Sequence, residues 1–140
     1  MDNRILIEMT SIQTVDGQAD TNRLTYHGRY RETDGLAILQ YMQVDEMGRT
    51  RNKLELWDGG CRMTTTGDMG RVMEFLPGQR TSTQMRTPMG CMDMDIVTHA
   101  YELDVIREKE PHMQIVLVYD LYGGGNLLAE NRLEVRVQPA

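Results

Sequence analysis

The sequence is short of the residues that most chemistries need. It has two cysteines, two serines, two lysines and three scattered histidines in 140 residues. Cys61 and Cys91 make no disulfide framework, and neither Ser11 nor Ser82 stands in a Gly-x-Ser-x-Gly elbow. No two of His27, His99 and His112 have the spacing of a zinc pair. Asp93 and Asp95 share one strand face, but a hard cation would need about four further oxygens. No apolar run approaches the roughly 18 residues of a membrane helix. Met1-Asp2-Asn3-Arg4-Ile5 leads straight into a strand-like pattern, without the basic and apolar regions of a secretory signal. The expected compartment is therefore the cytoplasm, with both cysteines as free thiols. Net charge −6 and a pI near 5.0 argue against a generic phosphate-backbone binder. No catalytic residue, metal, cofactor, nucleic acid or membrane partner is expected.

Alanine is also scarce, at 5 residues, and the only Trp and Phe are Trp57 and Phe75. Helical proteins spend Ala and Lys on their surfaces. This chain instead has 13 Thr, 13 Arg and 13 Gly, and its Val, Ile, Thr, Tyr, Phe and Trp together make 37 residues. That composition suits short strands and tight turns. Methionine is abundant, at 12 residues.

The chain alternates with period two between turn signals. Strands are expected over residues 4–14, 23–31, 36–44, 50–57, 61–66, 70–76, 79–87, 91–103, 112–121 and 127–138. Asp16-Gly17 and Asp34-Gly35 mark hairpins, as does Gly123-Gly124-Gly125, which lacks the Lys-Ser/Thr of a phosphate loop. Leu24, Tyr26, Gly28 and Tyr30 share an apolar face opposite Arg23, Thr25, His27, Arg29 and Arg31. The basic stripe reads as a solvated outer face. Met92, Met94, Ile96, Thr98 and Ala100 should lie on one side of their strand, with Asp93, Asp95 and His99 on the other. Residues 104–111 are charged and read as a connection, with room for a helical turn.

About ten strands with short loops imply sequential antiparallel neighbours. An up-and-down sheet of that size removes its edges by closing. The expected fold is thus all-β, one mostly up-and-down barrel of about 8–10 strands spanning residues 1–140, with a two-sheet sandwich as the alternative.

The order of residues also carries a family resemblance. It runs Gly28-x-Tyr30, Tyr41, Gly48-x-Thr50, Gly67, Phe75 and Gly78. Thr87-Pro88-x-Gly90 then leads into Met92-x-Met94-x-Ile96-x-Thr98, followed by Tyr119-x-Leu121 and Asn131-x-Leu133-x-Val135. This resembles the YwiB-like family of uncharacterised bacterial proteins, domain of unknown function 1934. The resemblance implies a lipocalin-like β-barrel, a cytosolic protein and no assigned activity. It also implies an acid where this chain has Gln43 and an arginine where it has Thr65. Joint loss is what a touching ion pair requires, since an orphaned buried charge costs about 3–5 kcal/mol. Either a functional centre is missing here, or a structural lock is replaced by a hydrogen bond between Gln43 and Thr65.

The leading functional expectation is non-enzymatic binding of a small, mostly apolar ligand in the barrel interior. Candidate lining residues are Tyr26, Tyr30, Tyr41, Gln43, Thr65, Met92, Met94, Tyr119 and Asn131. Met92 and Met94 would line a deformable cavity open at one end. Soft Cu(I) chemistry is disfavoured for the methionines, because alternation turns Cys91 away from Met92 and Met94. The alternative is an interaction module with a filled barrel, forming a homodimer or docking a partner; an enzyme with a pocket acid comes third.

Overall fold

The structure is a computed structural model that describes residues 3–46, 48–105 and 112–140. Ten strands appear where the alternation places them. They are β1 (Arg4–Val15), β2 (Gln18–Thr33), β3 (Leu36–Asp45), β4 (Gly48–Trp57), β5 (Gly60–Gly67), β6 (Arg71–Phe75), β7 (Arg80–Thr87), β8 (Gly90–Val105), β9 (Met113–Gly123) and β10 (Asn126–Pro139). The first two hairpins turn through Asp16-Gly17 and Asp34-Gly35, with positive φ at all four residues. That is the turn whose twist matches two antiparallel strands. Residues 106–111, within the expected connection, lie outside the described residues, while Asp104 and Val105 still belong to β8. Among the described residues no helix is long and apolar enough to cross a membrane.

All ten strands form one antiparallel sheet in the order β6-β5-β4-β3-β2-β1-β10-β9-β8-β7. β1 and β10 pair along ten residues, so the chain's first and last strands are joined by a full ladder. The barrel's seam falls instead between β6 and β7, although a short turn connects them. Only Gly70 and Arg86 bridge there, exchanging two backbone hydrogen bonds of 2.8 and 2.7 Å. Further along, side chains replace the ladder. Thr81 donates its hydroxyl to the Glu74 carbonyl at 2.6 Å, and Thr83 donates to the Val72 carbonyl. The barrel is therefore nearly closed.

Inward faces follow the sequence pattern closely. Ile5, Ile7, Leu39, Leu54, Leu56, Phe75, Ile115, Leu117, Val135 and Val137 make a continuous buried core. Tyr26 and Tyr30 pack against it, while Arg29 and Arg31 are exposed. β8 departs from simple alternation. A register shift between Thr98 and Ala100 adds one residue against β9. Beyond it the parity reverses: Ala100 leaves the inward set, and Tyr101 and Leu103 join the core. The uninterrupted inward run from Met92 to Ala100 is thus corrected at its last member.

Candidate functional site at the polar end of the barrel

The hairpins β1–β2, β3–β4, β5–β6, β7–β8 and β9–β10 all turn at one end of the barrel. Toward that end the inward face changes from apolar to polar. On one arc, Tyr41, Asn52, Thr65 and Arg71 are direct cross-strand partners on β3, β4, β5 and β6. On the other, Thr98, Tyr119 and Asn131 are partners on β8, β9 and β10. Arg71 links the arcs electrostatically, since its charge acts on both Tyr41 and Tyr119. Phe75, four residues on and on the same face of β6, meets the Tyr119 ring edge-on at 4.7 Å.

Part of this set is satisfied internally. Thr65 donates to Asn52 Oδ1 at 2.9 Å, and Asn52 Nδ2 donates to Thr50 at 3.4 Å. The Tyr41 ring stacks on Tyr26 at 4.5 Å, and its hydroxyl points to the Met9 sulfur at 3.6 Å. Burial raises the Tyr41 and Tyr119 phenols, partly opposed by Arg71; burial and then Asp45 raise Tyr26. The tyrosines are therefore neutral hydrogen-bonding groups at physiological pH. The rest of the set is not satisfied: Arg71 Nε, Thr98 Oγ1 and Asn131 Nδ2 are buried with no hydrogen-bond partner among the described residues. Thr98 is only 1% exposed. Buried polar atoms without partners are rare, because each costs about 1–3 kcal/mol.

Of the residues singled out from sequence, Tyr26, Tyr41, Thr65, Tyr119 and Asn131 come together here. Gln43 shares the inward face of β3, but it donates to Asp45 at 2.7 Å and not to Thr65. The expected Gln43–Thr65 bond is thereby corrected: each has a nearer partner, Asp45 on its own strand and Asn52 across the ladder. Tyr30 lies toward the opposite end and donates to Glu32 at 3.1 Å. Met94 is buried at 5% exposure in the β8 wall. Met92 is 54% exposed beside the β7–β8 turn, so the two methionines do not converge on an open cavity.

Arg71, Asn52, Thr50 and Thr98 complete the set without having been candidate lining residues, although Thr98 was expected on the inward face of its strand. One signal was available: Arg71 has the parity of Met73 and Phe75, which places a guanidinium on an inward face.

Two depressions flank this region. One, of about 520 Å³, opens at the β6–β7 seam and is lined by Thr65, Arg71, Thr83 and Arg86 among others. The other, of about 530 Å³, lies over Gly28 on the outer wall. His27, Arg29, Arg51 and Lys53 line it without an acid. There Arg29 donates to Asn3 at 3.0 Å and Lys53 stands 3.8 Å from Glu55, as on a solvated basic face. Among the described residues no group of three or more His, Cys, Asp or Glu is placed to hold a metal.

Residues 7–135 match the family described as Domain of unknown function (DUF1934). The chain belongs to that family. Its fold is also that of a solved structure, the crystal structure of ywiB protein from Bacillus subtilis. The TM-score is 0.89 at 16% identity, covering 99% of this chain and 92% of that one. No curated protein matches the sequence. The DUF1934 assignment and the match to the ywiB protein together fix the barrel architecture.

The two cysteines of this DUF1934 chain are free and differ in setting: Cys61 is buried in the core and Cys91 is exposed. Burial pushes the Cys61 thiol up to about 12. A thiol-directed reagent near pH 8 should therefore label Cys91 and spare Cys61 in the folded protein, as mass spectrometry of the peptides would reveal. The same shift sets an alkaline limit. The folded chain holds the Cys61 proton more tightly than the unfolded chain does. Stability from this source is intact below the ordinary thiol pKa of about 8.5 and falls as pH rises toward 12. Tyr41, Tyr101 and Tyr119, also raised by burial, act in the same direction at higher pH. Thermal unfolding measured across that window should show a falling midpoint; a flat profile would contradict the burial of these groups.

Proposed function

We propose that this protein is a lipocalin-like, non-enzymatic binder of a small, mostly apolar molecule, held at the polar end of the barrel. The lower interior is occupied by its own side chains, so the ligand sits above the core. The observation carrying this reading is that Thr98 and Asn131, the ladder neighbours of Tyr119, and Arg71, whose charge acts on it, each hold a buried polar atom without a partner among the described residues. A ligand with one polar group satisfies them, and half-buried Met9, Tyr26 and Leu133 offer apolar contact. Titration with the neutral fluorescent probe N-phenyl-1-naphthylamine tests the reading. The wild type should bind saturably with one site per chain. Asn131→Trp, which fills the polar end, should abolish that binding while keeping the fold by circular dichroism. A wild type without saturable binding removes the proposal.

A second reading, an interaction module, has its own observation. Val44 and Met89 are 70% and 94% exposed, and Leu127 and Leu128 are also exposed, all near the hairpin turns of the same end. Light scattering over a concentration series separates the two, since a chain that stays monomeric throughout excludes the homodimer.

A further inference from the structure

Arg71 is an unusual cation. The chain has 21 acids, yet Arg71 forms no salt bridge with any described residue. It stands on the inward side of β6, opposite Thr65, and its Nε is buried and unpartnered. Its charge acts on two neutral tyrosines, Tyr41 and Tyr119. A partly buried guanidinium with no counter-ion is unfavourable unless something negative meets it.

The seam supplies a route. Because β6 and β7 are joined by the Gly70–Arg86 bridge and the Thr81 and Thr83 hydroxyl bonds in place of a full ladder, the outer wall is indented there. Arg71 and Arg86 both line the resulting depression of about 520 Å³. Arg86 lies over Gly70, where a Cβ would come within 3.1 Å of its guanidinium. Glu74 is the single acid of that lining, and it faces Arg62 at 3.7 Å. Two guanidiniums therefore border the depression, with its one carboxylate already engaged.

We propose that the ligand of this barrel is a small carboxylate-bearing amphiphile whose acid group enters at the β6–β7 seam and is held by Arg71. This rests on the small-molecule reading above and adds the sign of the ligand's charge and the side of entry. A planar guanidinium suits a carboxylate, since two parallel N–H groups meet two oxygens. Asn131 Nδ2, also without a partner, is a second donor for the same head group. The apolar remainder of the ligand then lies against Tyr119 and Leu133.

Octanoate and octanol share a tail and differ in the head, so calorimetric titration of both tests the proposal. In the wild type octanoate should bind at least tenfold tighter than octanol. Arg71→Gln should erase that preference, and Arg71→Lys should retain part of it; both variants are checked for folding by thermal unfolding. Equal binding of the two probes by the wild type overturns the anionic head group and leaves the small-molecule reading in place. Octanoate binding that survives Arg71→Gln unchanged overturns the role of Arg71. If neither of these nor N-phenyl-1-naphthylamine binds the wild type, both readings fall together.

Discussion

Phe75→Ala should lower the stability of this barrel by about 3–5 kcal/mol, measured by chemical denaturation. Phe75 is the chain's only phenylalanine and is 1% exposed. It is the last residue of β6, the shortest strand, whose outer edge has no full ladder. Side-chain packing must therefore hold β6 in place, and Phe75 does so by meeting Tyr119 across the interior. Truncation removes a large buried surface and leaves a cavity that this end strand cannot close by backbone pairing. Typical domain stabilities are about 5–15 kcal/mol, so the loss is a large fraction of the total. Tyr119 should also lose its orientation, and binding at the polar end should weaken with stability. A loss under about 1 kcal/mol would mean that the ladder to β5 alone fixes β6.

Gly67→Ala should be the most damaging of the glycine substitutions at the polar end. Gly67 has φ +110°, a conformation that side chains rarely adopt. A Cβ there would lie 2.6 Å from the Arg49 carbonyl oxygen, a backbone atom that cannot swing aside. Strain of this kind costs about 1–3 kcal/mol before the clash is counted. The forced shift would part β4 from β5 beside Thr50, which is opposite Gly67 and accepts from Asn52. Gly35→Ala is the control. Gly35 has φ +76° and nothing within 4 Å of the added carbon, so it carries the strain without the collision. Denaturation midpoints should fall clearly further for Gly67→Ala than for Gly35→Ala; equal effects would show that the close approach of Arg49 relaxes freely.

The strands themselves were legible in the sequence because alternation is local. A residue's face is set by its neighbours two positions away, and turns declare themselves through Asp-Gly pairs that accept positive φ. The inward set of β10, Asn131, Leu133, Val135 and Val137, could be read without any knowledge of a partner strand. The order of motifs from Gly28 to Val135 carried the family in the same way, as the match over residues 7–135 bears out.

Period two says which side a residue faces but not what it meets across the barrel. Phe75 and Tyr119 are brought together only when every pairing between β6 and β9 has added its register, so no local pattern shows their contact. The partner of Thr65 is hidden for the same reason, since Asn52 becomes its neighbour only through the β4–β5 register, while Gln43 bonds Asp45 two residues along its own strand. The bulge after Thr98 shows in the sequence only as a change of parity, Tyr101 and Leu103 alternating with Glu102 and Asp104, and one extra residue moves Ala100 out and Tyr101 in. The seam is likewise a tertiary outcome. A short turn joins β6 to β7 and would allow a ladder, but threonine hydroxyls take the carbonyls of Val72 and Glu74. Sequence thus determined the strands, their turns and their faces, since those depend on nearest neighbours. Only the closing of ten strands around one core decided where the wall is indented and which buried groups are left wanting partners.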